Sequence, residues 1–406
     1  MKSYVLGSVV GAVLALAVAI ISLESLDAQG NQLFGLFLIG LSIIGLLAVL
    51  LLIIWIYYLT RDKGRTPLCA HGIMWGPVVL AACIVPVSES MDDARKSRFE
   101  DAHPVMQEIH INLTGRDLWF DPRNTGGTHY TEMPMRGDKP EKFLEWSLYP
   151  SPELIGSGAF LYEGSRLKQN VRSMRLYTGE LLEEKTKSIE VLIANKPSYP
   201  DTDRLASVMG FRQGHDATIL VHQYYHYPDH IEVAPALTRF AGSQRDRLWG
   251  KIQPVVEFRG VNLGQQPIAR LEINGQAMSL GEEAFSVADT CFWANTPVGE
   301  AILTLDQPLH LRWQTIEPPH RWQEATVPVP KFLTENSKGE RTRVPSVVLY
   351  FTGEGSVFAE RFEAIDLPAQ KLGVRTTGLP EGMASPPPCG MAYAGYNPET
   401  VQLLPR

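Results

Sequence analysis

Cysteine is scarce, with four residues in 406. Two of them, Cys69 and Cys83, lie in an apolar run, where a thiol behaves as a small hydrophobe. Only Cys291 and Cys389 remain for a soluble part, which excludes a disulfide-dense scaffold and a Cys-x-x-Cys motif. Basic charge is short as well: 37 Lys and Arg stand against 44 Asp and Glu, for a net charge of −7. Up to Val87 the chain carries +1, from Lys2, Arg61, Lys63 and Arg65 against Glu24, Asp27 and Asp62, leaving −8 for the rest. Nucleic-acid affinity is dominated by basic surface, so no nucleic-acid partner is expected. The Gly-x-Ser-x-Gly elbow, the phosphate loop, the dinucleotide fingerprint and His-Glu-x-x-His are all missing. The stretches Gly156–Phe160 and Gly353–Ser356 have glycines at the wrong spacing. Paired carboxylates at Glu183–Glu184 and Glu282–Glu283 sit among polar residues and read as solvated charge. No catalytic, cofactor-binding or metal-binding residue is assigned, no cofactor is implied, and the chain is not read as an enzyme.

Charge is absent altogether from Leu33–Leu59, a run longer than the roughly 20 residues that cross a bilayer as helix. Trp55, Tyr57 and Tyr58 close it where ring side chains favour the headgroup interface. The following loop, Thr60–Thr66, carries Arg61, Lys63 and Arg65 against Asp62 and is expected in the cytoplasm. Pro67–Val87 leads back out; its His71 is read as structural, and membrane helices tolerate its glycines and prolines. Tyr4–Leu23 is a further uncharged run, read as a retained helix rather than a cleaved signal. Three helices, at about 4–23, 33–59 and 67–87, thus anchor the chain in a bacterial inner membrane and place Ser88 onward in the periplasm.

Beyond a polar segment at 88–105, a linker or short helix, the pattern becomes strand-like. Short runs with period two recur at Gln107–Leu113, Phe143–Tyr149, Ser188–Ala194, Ala217–Tyr227, Val255–Val261, Ala269–Ile273, Leu309–Thr315 and Val347–Phe351. Gly- and Pro-rich turns separate them, which predicts a mainly β, sandwich-like region. Arg166–Arg175 and Asp201–Met209 are the helical candidates. The polar stretch Ala241–Lys251 suggests a boundary between β-rich domains at 106–245 and 250–406. The Pro-rich tail from Gly378 reads as an irregular strap. In an oxidising compartment Cys291 could pair with Cys389 and pin that tail, although sequence does not bring the two together.

One constellation stands out, LVHQYYHYPDH, with His222, His226 and His230 four residues apart and Asp229 beside the last. Aromatic and β-branched neighbours and Pro228 favour a strand. Residues four apart on a strand are about 13 Å distant, too far to share one metal ion. The alternating Tyr224, Tyr225 and Tyr227 are candidates either for core packing or for partner binding, since a strand often buries one face. Arg321 beside Trp322 is a second candidate for partner binding, because interface hot spots are rich in Trp, Tyr and Arg.

From Val255 the order of residues becomes characteristic. Gly260 and Asn262 lie on an early strand, Ile273–Gly275 form an Asn-Gly hairpin, and Cys291 is followed six residues on by Pro297. A strand ending at Trp313, then Trp322 and a Val-Pro-Val-Pro strand at Val327–Pro330, completes the series. This stretch, about 255–332, resembles a family of bacterial periplasmic proteins, usually lipoproteins, encoded beside type VI secretion phospholipase effectors and regarded as their immunity proteins. Two departures stand out. Phe292 follows Cys291 where the family has adjacent cysteines, and membrane helices replace the lipid tether. The resemblance implies a membrane-anchored immunity protein that binds and neutralises a cognate, lipid-degrading effector in the periplasm. A structural component of an envelope machine is the alternative.

Overall fold

The computed structural model describes residues 4–27, 31–102, 106–120, 134–148, 160–163, 166–169, 172–178, 187–201, 220–237, 255–288, 296–334, 341–353, 355–368, 371–383 and 396–403. They form two compact units, Met1–Phe99 and Glu100–Arg406.

The first unit holds α1 (Val5–Asp27), α2 (Asn31–Arg61), α3 (Leu68–Ala82) and the start of α4 (Ile84–Ala102). Among the described residues three stretches are long and apolar enough to cross a membrane: Val5–Ser25, Gly40–Arg61 and Leu68–Phe99. The chain is therefore a membrane protein with an N-terminal helical region. The segment expected as a linker or short helix is helical as far as Ala102, since 88–100 contains neither Gly nor Pro. Pro86 falls in the first turn of α4, where its missing N–H costs nothing. Gly7 and Gly11 lie one turn apart on α1, the small-residue spacing that lets membrane helices approach. A Cβ at Gly11 would sit 2.2 Å from the Met74 carbonyl oxygen, so only glycine admits α3 there. At the far end of α2, Tyr4 donates a hydrogen bond to Asp62 at 2.7 Å, and the Arg61 guanidinium lies over the Tyr4 and Tyr58 rings. His71 accepts a 2.8 Å bond from Trp55 Nε1, which fixes its ring as part of the packing.

The second unit is built from two copies of one seven-strand pattern. The first copy comprises Met106–Asn112, Leu118–Phe120, Leu144–Leu148, Ser173–Thr178, Lys187–Leu192, Leu220–His226 and Ile231–Leu237. The second comprises Val255–Leu263, Ile268–Ile273, Thr296–Ile302, Leu309–Thr315, Gln323–Val327, Ser346–Thr352 and Val357–Leu367. In each, the first strand pairs antiparallel with the third and parallel with the sixth, and the sixth pairs antiparallel with the seventh. The fourth strand pairs antiparallel with the second and the fifth. Each copy is thus two sheets face to face over an apolar core.

Asn112 and Asn262 hold the same turn in the two copies. Each donates through Nδ2 to the carbonyl four residues on, Arg116 at 2.7 Å and Gln266 at 2.9 Å. Each also donates to a carbonyl 23 residues on, Met135 at 2.8 Å and Phe285 at 3.2 Å. The Oδ1 atoms accept from the N–H of Thr114 and Gly264. These buried bonds satisfy backbone groups where each first strand leaves its sheet. The copies are fused through Gln276–Ala277, which joins the first copy's seventh strand at Ala236 and completes an eight-stranded sheet. The expected boundary, 241–251, lies outside the described residues.

Asn274 and Gly275 form the hairpin turn that the Asn-Gly pair implies, with φ of 50° and 76°. Three expectations need correction. Arg166–Arg175 is not helical: Arg166–Gln169 forms a hairpin with Phe160–Glu163, and Ser173–Thr178 joins the first sandwich, because cross-strand bonds override weak local propensity. The strand expected at Val327–Pro330 runs instead from Gln323 to Val327, since prolines cannot donate to the ladder. The tail is not wholly irregular, because Gln402–Leu403 pairs with Lys371–Thr376. The helical candidate Asp201–Met209 falls outside the described residues beyond Asp201, as do Cys291 and Cys389.

Candidate functional site: an internal histidine cluster and an arginine–tryptophan face

The histidine strand is a sixth strand, covered on both sides. Its even positions, His222, Tyr224 and His226, face the interior of the first sandwich beside Glu108, His110 and Asn112 of the parallel neighbour. Its odd positions, including Tyr225, pack with Ala269 and Ala277 of the second copy. Tyr224 and Tyr225 are both 0% exposed, and Tyr227 is 8% exposed. The three tyrosines are therefore core, the first of the two roles left open for them, and not available to a partner: the sheet has no solvent face here.

Inside the sandwich several polar side chains engage one another. His110 Nδ1 lies 2.9 Å from His226 Nε2, so one ring donates and the other accepts. The His110 ring stacks on Tyr224 with centroids 4.5 Å apart, and the Tyr224 hydroxyl donates to Glu108 at 3.1 Å. Glu108 Oε2 is 3.7 Å from His110 Nε2, and Tyr199 meets His222 edge-on. Burial pushes the pKa of His226 well below the ordinary range, and the neighbouring His110 adds to the fall. His110 is lowered by burial too, against the pull of Glu108. Burial and the adjacent Glu108 drive the Tyr224 phenol well up. His230 lies apart, beyond the strand, paired with Asp229 at 2.7 Å. Among the described residues no group of three or more His, Cys, Asp or Glu is arranged to hold a metal ion. The sequence pattern thus named two of the three clustered histidines; His110 was missed because its contact runs across 116 residues of chain.

Trp322 belongs to a different structure, a ladder that rises from the core to the surface. Arg270, 5% exposed, lies 4.6 Å over the buried Tyr225 ring and 4.7 Å over Trp322. Arg312 lies 4.3 Å over Trp322. Each step places a cation against a π face. Carboxylates balance the two guanidiniums: Glu232 and Glu272 on Arg270, and Glu324 at 3.0 Å from Arg312. Burial works against the Arg270 charge, but Tyr225, Tyr227 and Glu272 hold its pKa above the ordinary value. Arg321 is exposed next to the half-buried Trp322, immediately before Gln323–Val327, the outermost strand of the eight-stranded sheet. The structure therefore keeps Arg321 and Trp322 at the surface and adds Arg312 and Arg270, which sequence reasoning did not single out. Their spacing, one residue on each of two paired strands, becomes visible only with the register. Comparison of the sequence with known protein families returns no matching family, and comparison with curated proteins returns no match.

Proposed function

We propose that this chain is an immunity protein of a bacterial inner membrane. Its β region, on the periplasmic side, binds a cognate type VI secretion effector of the lipid-degrading class and holds it inactive. It acts by binding rather than by catalysis. The observation that carries the reading is the Trp322 platform, a tryptophan within cation–π distance of two guanidiniums at a sheet edge with Arg321 exposed beside it. Such preordered Trp and Arg side chains lose little freedom on docking and dominate interface energies. The resemblance over 255–332 adds the partner class. The basic loop Arg61–Arg65 supports a cytoplasmic α2–α3 turn and hence an outward β region. Tethering raises the binder's effective concentration where a lipid-degrading toxin acts.

Deletion of the gene should make cells lose in competition with siblings that fire the effector encoded beside it. An effector without its catalytic group should remove that loss. Deletion mutants that compete as well as wild type would leave an envelope scaffold as the better reading.

A further inference from the structure

The second sandwich opens at one end into a cleft of about 250 Å³, between the turn after its first strand and the turn after its sixth. The same mouth exists in the first copy, and there it shrinks to about 30 Å³. The cladding explains the difference. At the mouth of the first copy stand Leu176, Ile189, Val191 and Pro228. The ladders place Ile189 opposite Leu176 and Gln323 opposite Trp313, so Gln323 occupies the position of Ile189. Likewise Gly353, two residues after Phe351, stands where Pro228 follows His226. An apolar plug in one copy is thus an open, amide-lined cleft in the other.

The lining has a definite chemistry. Among the described residues it includes no ionisable side chain. Gln265 and Gln323 are exposed, and among the described residues their amides, like the Thr315 hydroxyl, make no hydrogen bond within the protein. The floor is Trp313 and Phe351, packed edge to face at 5.3 Å. Asn262 is fully engaged and rigid, bonded to Gln266, Phe285 and Gly264. An uncharged cleft excludes phosphates and carboxylates, which need a cation or a helix N-terminus. Two amides, each offering donors and an acceptor, match a ligand that presents neighbouring hydroxyls, each both donor and acceptor. The size suits one ring and its substituents, just below the usual range of small-ligand sites.

We infer that this cleft is a binding site for a neutral saccharide unit, held by Gln265, Gln323 and Thr315 over the Trp313 and Phe351 edges. The site is separate from the Trp322 face and does not depend on the effector-binding reading.

The test uses the full chain in nanodiscs, titrated with glucose, N-acetylglucosamine and cellobiose. Saturation-transfer NMR and tryptophan fluorescence are the readouts. At least one sugar should bind saturably in the millimolar range. Gln323→Ile, which copies the plug of the first copy, should weaken binding roughly tenfold or more. Gln323→Glu should also weaken it while leaving space open, because it trades two donors for acceptors. Both variants should melt as the wild type does, since Gln323 is exposed. Absence of saturable binding to all three sugars would overturn the inference, as would binding that Gln323→Ile leaves unchanged.

Discussion

The two sandwiches carry opposite chemistry at matching positions. In the second, the first and sixth strands fill the interior with Phe258, Gly260, Val347, Leu349 and Phe351. In the first, the ladder places Glu108, His110, His222, Tyr224 and His226 at those same points. The strand order, the parallel pairing and the Asn112 and Asn262 turns are nevertheless shared. The topology is therefore set by strand pairing and by the surrounding apolar residues, such as Leu118, Leu176, Ile231 and Val233 in the first copy. The imidazoles are not required for it. What they add is a set of hydrogen bonds between titratable groups at points where the twin has apolar side chains.

The largest expected effect lies in the apolar copy. Phe351→Ala, which removes a ring wedged against Phe285 and Trp313, should cost about 3–5 kcal/mol in urea unfolding of the solubilised protein. His226→Ala, at the matching position, should cost about 1–3 kcal/mol, mainly by leaving His110 without its imidazole partner. If the histidine variant proves the more damaging, the contrast between the two cores is wrong. Next comes pH. Both His110 and His226 titrate below their unfolded value of about 6.5, so the unfolded chain binds protons first. Their contribution is complete above that pH and is lost as pH falls toward the native pKa values. Unfolding midpoints should drop on acidification from pH 7 to 5. Replacing both rings, as His110→Leu with His226→Phe, should flatten that slope and cost less than the two single changes summed. The smallest effect belongs to the surface: Trp322→Ala should change stability by only about 1 kcal/mol, the worth of a partly exposed cation–π contact.

The anchor and the Asn274–Gly275 turn were legible in the sequence because each depends on local chemistry alone: run length and charge for the helices, left-handed φ for the turn. Eight of the strands could be read for the same reason, from alternation. Non-local features could not. The duplication is hidden because the copies share the topology but not the core residues. Tyr224, Tyr225 and Tyr227 gave no sign of which face is covered, since the cover for the odd positions comes from Ala269 and Ala277 of the other copy. His110 sits in an ordinary alternating strand, and only the parallel register with Leu220–His226 gives it a partner. Arg270 and Arg312 look like surface charges until the ladder brings both within cation–π distance of Trp322.

The central claim, that this membrane protein neutralises a partner by binding it, is tested most directly by one affinity measurement. Full-length protein in nanodiscs is titrated with a catalytically inactive form of the effector that the proposed function places beside it, without added metal or cofactor. The account predicts nanomolar affinity, weakened by about 2 kcal/mol or more in Trp322→Ala while the protein remains folded. Absence of binding at micromolar concentrations, or tight binding indifferent to both Trp322→Ala and Arg321→Ala, would contradict it.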